Sequence, residues 1–227
     1  MEACPAERLG RRSVHVWLFA LADVAEDELS PIDEAERARA DGFAFEEDRR
    51  RFLAGRACLR SVCSRYVADP AEPFSSLSHS GDLIAVAVAR REVGIDVEQL
   101  RGIEPEPALV TRACTAAQRS RLERVAPEER ERLFLAQWVR KEAVGKALGV
   151  GLDLALSPTK VTAFPRAGGR RYRGIWRVLE IETPEGYAGA VAARGVAARL
   201  VVRRSPSISG INTAATFRMP ASVASSK

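Results

Sequence analysis

Glu142 and Lys146 stand four residues apart in the stretch Trp138-Val139-Arg140-Lys141-Glu142-Ala143-Val144-Gly145-Lys146-Ala147-Leu148-Gly149-Val150-Gly151-Leu152. As a helix closed by a glycine turn, this stretch puts an aromatic ring, a carboxylate and an ammonium on one face. Upstream, Gly94-Ile95-Asp96-Val97-Glu98 reads as a strand. Its period of two sets Asp96 and Glu98 on one face and Ile95 and Val97 on the other. Two carboxylates on one face repel unless a cation or a set of donors lies between them, and with Glu142 three could meet around one hard cation. Each half also has an ordinary reading. Glu followed by Lys at i+4 is a common helix-stabilising pair, and strand alternation also produces a solvated acidic face.

The elements that would position these groups follow from hydrophobic periodicity. Val14 to Ala20 is an apolar, β-favouring run and reads as a first buried strand, with His15 a packed or edge histidine. Ser30 as N-cap and Pro31 at the first helical position predict a helix to about Ala40, ending at Asp41-Gly42. From Glu46 to Tyr66 the apolar residues keep helical spacing among Arg49, Arg50, Arg51, Arg56, Arg60 and Arg65. Most of that basic face belongs in solvent, while one or two forks could enter a phosphate site. Phe74 onward leads to Ser78-His79-Ser80-Gly81, read as a turn where hydroxyls, an imidazole and backbone N–H groups converge on an oxyanion, although Ser and Gly are common in turns generally. Leu83 to Ala89 is a strand buried on both faces, and Arg90-Arg91-Glu92 a tight hairpin into the Asp96/Glu98 strand.

Gly102 to Pro107 marks a boundary. Helices are predicted over 109–125 and 128–148, with Gly145 inside the second as a sign of close approach by backbone or ligand, and Gly149 and Gly151 ending it. Strands follow at 159–164, 172–181, 187–193 and near 197–202. The fold class is α+β, a pseudo-twofold duplication of two similar α/β subdomains, each a small antiparallel sheet packed with helices. The division is a loose arm over 1–12, an N-terminal subdomain over 13–103, a C-terminal subdomain over 104–204 and a disordered tail over 205–227.

A hydrophobic fraction of 46% and a charged fraction of 29% are those of a soluble globular protein, and the net charge of +5 suits an anionic partner. Cys4, Cys58, Cys63 and Cys114 form no C-x-x-C pair and read as reduced thiols. The apolar run from Val14 to Ala22 is too short and wrongly flanked for a signal or spanning helix, so the expected location is the cytoplasm and no membrane partner is expected.

Taken together, Ser78-His79-Ser80, Gly94-Ile95-Asp96-Val97-Glu98 and the Trp138–Leu152 stretch resemble the 4′-phosphopantetheinyl transferases of the surfactin-synthetase-activating (Sfp) type. Asp48 to Arg60 also looks like the family's upstream arginine segment, and the likeness spans about residues 14–200. The resemblance implies an enzyme that moves the phosphopantetheine arm of coenzyme A to a serine of an apo acyl or peptidyl carrier protein, an acidic partner, releasing 3′,5′-ADP. It implies Mg²⁺ held by Asp96, Glu98 and Glu142, with Glu142 taking the carrier serine's proton directly or through a metal-bound water and Lys146 stabilising or protonating the departing phosphate. Ser78, His79 and Arg51 would hold phosphates of coenzyme A, with His79 an anion clamp. Trp138 would pack and position the Glu142 helix. Members with both halves in one chain imply a monomer.

One departure accompanies the match. The family's extended Gly-Lys-Pro segment, which contacts the nucleotide, has no counterpart in the seven residues between Tyr66 and Phe74. A transfer-impaired member that binds coenzyme A or a carrier protein is therefore the main rival reading. The arginine-rich helix and positive charge also permit a nucleic-acid-binding protein. No nucleic-acid motif accompanies the charge, and Asp96 with Glu98 would repel a backbone, so no nucleic-acid partner is expected.

Overall fold

The computed structural model describes residues 7–29, 33–66, 73–153, 155–156, 170–172, 176–195 and 199–204. The expected cap at Ser30, the expected strand over 159–164 and the expected tail over 205–227 lie outside the described residues. Strands β1 (Ser13–Ala20), β2 (Phe74–Ser80), β3 (Leu83–Ala89) and β8 (Arg199–Arg204) form one four-stranded sheet in the order β2-β3-β1-β8. Strands β4 (Val93–Gln99), β5 (Arg170–Tyr172), β6 (Trp176–Glu180) and β7 (Tyr187–Arg194) form the other, in the order β4-β7-β6-β5. The fold is α+β with two small, mainly antiparallel sheets packed with helices, as expected. The first sheet departs from pure antiparallel pairing at its edge, where β1 and β8 run parallel. Nor do the sheets follow the chain: β4 from the first half joins the second sheet, and β8 from the second half joins the first.

Strand alternation explains the layering. In β3, Ile84, Val86 and Val88 enter one core with Leu53, Ala57 and Leu59 of helix α2 (Glu46–Ser64). The intervening Leu83, Ala85, Ala87 and Ala89 enter a second core with Val93, Ile95 and Val97 of β4 and Val191 and Ala193 of β7. Two consecutive residues thus face opposite cores, which is why this strand reads as one apolar run. The outer face of the second sheet carries small residues, Ala190 and Ala192, and meets Val139, Ala143 and Val144 of helix α5 (Pro127–Leu148). The order of layers is α2, first sheet, second sheet, α5.

Three local expectations are corrected. Helix α1 runs Glu34–Asp41 and is capped by Asp33, whose side chain accepts from the Glu36 N–H. The helix expected over 109–125 is two, α3 (Pro107–Ala113) and α4 (Ala116–Arg124), because Thr115 and Gln118 form a capping box that restarts the chain after Cys114. The Arg90-Arg91-Glu92 segment closes no hairpin: β3 pairs with β1 and β2, whereas β4 pairs with β7, so the segment turns the corner between sheets.

Candidate functional site

The site lies where edge strand β2 of one sheet meets edge strand β4 of the other. Ser78 and His79 belong to β2 itself, not to the turn expected there, which falls at Gly81-Asp82. Main-chain pairing between the two edges is replaced by side chains. The hydroxyls of Ser76, Ser78 and Ser80 accept from the backbone N–H groups of Ile95, Val97 and Gln99 at 3.1, 3.3 and 3.1 Å. Two of these serines then donate onward, Ser78 to Asp96 Oδ1 at 2.9 Å and Ser80 to Glu98 Oε2 at 2.7 Å. All three hydroxyls accept from the β4 backbone and two also donate to its carboxylates, so a row of serines joins the sheets and orients both acids.

From the other side α5 brings in Lys146. Its ammonium lies 2.9 Å from Asp96 Oδ1 and 3.0 Å from Ser78 Oγ. Close seating of the helix makes this reach possible: a Cβ on Gly94 would collide with the Ala143 carbonyl, so only glycine admits α5 against β4 at this depth. The close approach of backbone between β4 and α5 falls at Gly94, against Ala143 and Ala147.

Asp96 is 3% exposed. Burial pushes its carboxyl up from the usual range, the Lys146 ammonium opposes that shift, and the nearby Glu98 adds to it. Asp96 Oδ2 is buried and accepts no hydrogen bond among the described residues. With Glu98 two residues along on the same side of β4, this orphaned oxygen offers the hard donors that suit Mg²⁺. Glu142 is buried on α5, one turn before Lys146. Among the described residues, no three acidic, imidazole or thiol groups are already gathered into a metal cage.

His79 faces the opposite side of β2 from Ser78. A Cβ on Gly55 of α2 would lie 3.5 Å from its ring, so α2 crosses directly over it. Arg51 stands one turn before Gly55 on the same helix face, with its guanidinium held by Asp48 Oδ1 at 2.7 Å and Glu47 Oε2 at 3.1 Å. Ser78 and His79 therefore serve different surroundings, the first the Asp96–Lys146 pair, the second the α2 side. Trp138 stacks on Phe134 with ring centroids 5.9 Å apart, in the cluster of α3, α4 and α5.

Sequence reasoning missed Ser76 and Lys141, and it set Ser80 in a turn with no contact to Glu98. The signal for the serines was present: S-x-S-x-S has the same period as D-x-E, and both belong to edge strands. Lys141 is 2% exposed, and its ammonium donates to the Ala113 carbonyl at the end of α3. Burial pulls its pKa down. Its place beside Glu142 in sequence hides the fact that it points toward α3, tying that helix to α5.

No helix among the described residues is long and apolar enough to cross a membrane. The model of the 4′-phosphopantetheinyl transferase superfamily matches residues 92–192, which span β4 through β7. The chain is 30% identical over 215 residues to 4′-phosphopantetheinyl transferase HetI of Nostoc sp., covering 80% of this chain and 88% of that protein. It is 31% identical over 140 residues to 4′-phosphopantetheinyl transferase psf-1 of Bacillus pumilus, covering 53% and 59%. Over 98 residues it is 30% identical to a holo-[acyl-carrier-protein] synthase of Staphylococcus epidermidis, covering 41% and 84%. With a relative 30% identical and matched over 88% of its length, this chain belongs to the 4′-phosphopantetheinyl transferase superfamily and is an enzyme.

Proposed function

We propose that the enzyme transfers the 4′-phosphopantetheine arm of coenzyme A to a serine of an apo acyl or peptidyl carrier protein, releasing 3′,5′-ADP, as a cytoplasmic monomer of the Sfp type. The observation that carries the reading is the meeting of Asp96 from β4, Ser78 from β2 and Lys146 from α5 through direct hydrogen bonds of 2.9 to 3.0 Å. Asp96, Glu98 and Glu142 would hold Mg²⁺, which when bound supplies positive charge to the pyrophosphate linkage that must break.

The chain's own groups have distinct tasks. Glu142 takes the proton of the attacking serine hydroxyl. Lys146 has a side chain 24% exposed, against 5% for Asp96, so its ammonium lies at the outer edge of the pair and meets the phosphate that departs. Ser78 positions both by holding Asp96 and Lys146 at one hydroxyl. His79 and Arg51, on the α2 side, clamp the phosphate of the nucleotide portion.

The test is to incubate the protein with coenzyme A, Mg²⁺ and an apo carrier protein and weigh the carrier by mass spectrometry. A gain equal to the attached arm is expected, and its absence over fatty-acid, polyketide and peptide carriers would overturn the reading.

A further inference from the structure

Away from the transfer site, a cavity of about 240 Å³ opens where β1 begins and where β3 and β7 end. Buried Val14, Ala89 and Ala193 form its floor, and Arg11, Arg12, Arg90, Arg91 and Arg194 line its wall. Among the described residues no acidic side chain lines it. It lies at the other end of the strands from the site already described: Ser78 pairs with Ala85, and from there to Ala89 the strand runs on by about 13 Å. We propose that this cleft binds a small multivalent oxyanion of the pyrophosphate class.

The like charges that converge here come from three separate segments, and the backbone fixes each. The Ser13 N–H donates to the Gly10 carbonyl at 3.0 Å, and Arg90 Nε donates to the Leu9 carbonyl at 3.1 Å. The Arg194 N–H donates to the Glu92 carbonyl at 3.0 Å, while its guanidinium pairs with the Glu92 carboxylate at 2.5 Å. Arg91 Nη1 lies 3.0 Å from where a Cβ on Gly195 would stand, and Gly195 has φ +82°. Glycine there serves the turn and leaves room for the guanidinium. Arg11 and Arg91 have no carboxylate partner among the described residues.

Chemistry selects the ligand class. Guanidinium forks stay charged and match the oxygens of phosphate two at a time, whereas ammonium groups act as point charges. Arginines that line one cleft repel one another, and an anion of several charges relieves that repulsion where chloride relieves little. The volume is enough for a polyatomic ion with part of its hydration. The floor belongs to both sheets, so a bound anion would bridge arms of β1, β3 and β7.

The test is isothermal titration of the full chain with sodium pyrophosphate, in EDTA and at ionic strength held constant with chloride. Saturable binding is expected, weakened at least about tenfold in Arg11→Gln/Arg91→Gln, because each lost charge-assisted bond is worth about a factor of ten. Coenzyme A titrated into the same variant should bind as it does to the unsubstituted chain. No saturable binding, undiminished binding by the double variant, or loss of coenzyme A binding in that variant would each overturn the proposal. The two arginines break no ion pair when replaced, and the single variants Arg11→Gln and Arg91→Gln repeat the measurement should the double variant melt early.

Discussion

The β2–β4 edge and the arginine cleft handle charge in opposite ways. At the edge, Asp96 is buried, answered by Lys146 at 2.9 Å and held by a serine hydroxyl. In the cleft, arginines gather at the solvent boundary with no acid among the lining residues. The first arrangement is insulated from salt and depends on geometry, because every partner is supplied by the fold. The second is open to screening and depends on what solution supplies. Charge is balanced by the fold in one region and left to solution in the other, so substitutions can be chosen that disturb one without the other.

The largest effect should come from Asp96→Ala. Loss of the buried acid is expected to lower the rate of carrier modification by about 10²-fold or more, as removal of preorganised charge stabilisation does elsewhere, read as mass gain of an apo carrier. Pyrophosphate binding in the cleft should stay unchanged, and a parallel loss there would erase the contrast. Next, Ser78→Ala strips Val97 N–H of its acceptor and Asp96 of a donor. It should cost about 1–3 kcal/mol in urea denaturation. Ser75→Ala provides the control, since that hydroxyl is buried without a hydrogen-bond partner, and its replacement should cost close to nothing.

His79→Ala is expected to raise the coenzyme A concentration for half-maximal rate about tenfold while leaving the maximal rate nearly constant. A fall in the maximal rate with the half-maximal concentration unchanged would instead make His79 act with the Asp96 group. The smallest effect concerns His15, whose Nδ1 lies 2.8 Å from the Tyr66 hydroxyl. Burial, with Arg203 nearby, holds its pKa below the ordinary 6.5. Its contribution to stability is therefore full above 6.5 and is lost as pH falls through the depressed folded value. His15→Gln should flatten the dependence of melting temperature on pH in that acidic window.

The parts legible in the sequence were those with a strict period. G-I-D-x-E could only be a strand with its acids on one face, and the Trp138–Leu152 stretch carried its own helix end at Gly149, which has φ +69°. Ser78 reads as a turn residue because serine is frequent in turns. Its role as a strand residue became evident only with β4 beside it. The break at Cys114 was written in the Thr115 and Gln118 spacing, but the helical periodicity running through it concealed the capping box. The arginine cleft could not be read at all, since its members stand in segments near residues 11, 90 and 194 and meet only through the exchange of strands between sheets.

That exchange also governs when the protein can come into being. During synthesis β1 emerges near the start, yet its parallel neighbour β8 is completed only at Arg204. β4, waiting on β7, is likewise without a mate until Arg194 has been added. A ribosome that has made only the first half can pair β2, β3 and β1, but it leaves the first sheet without its edge β8 and β4 without its strand partner, so α5 and Lys146 reach Asp96 only later.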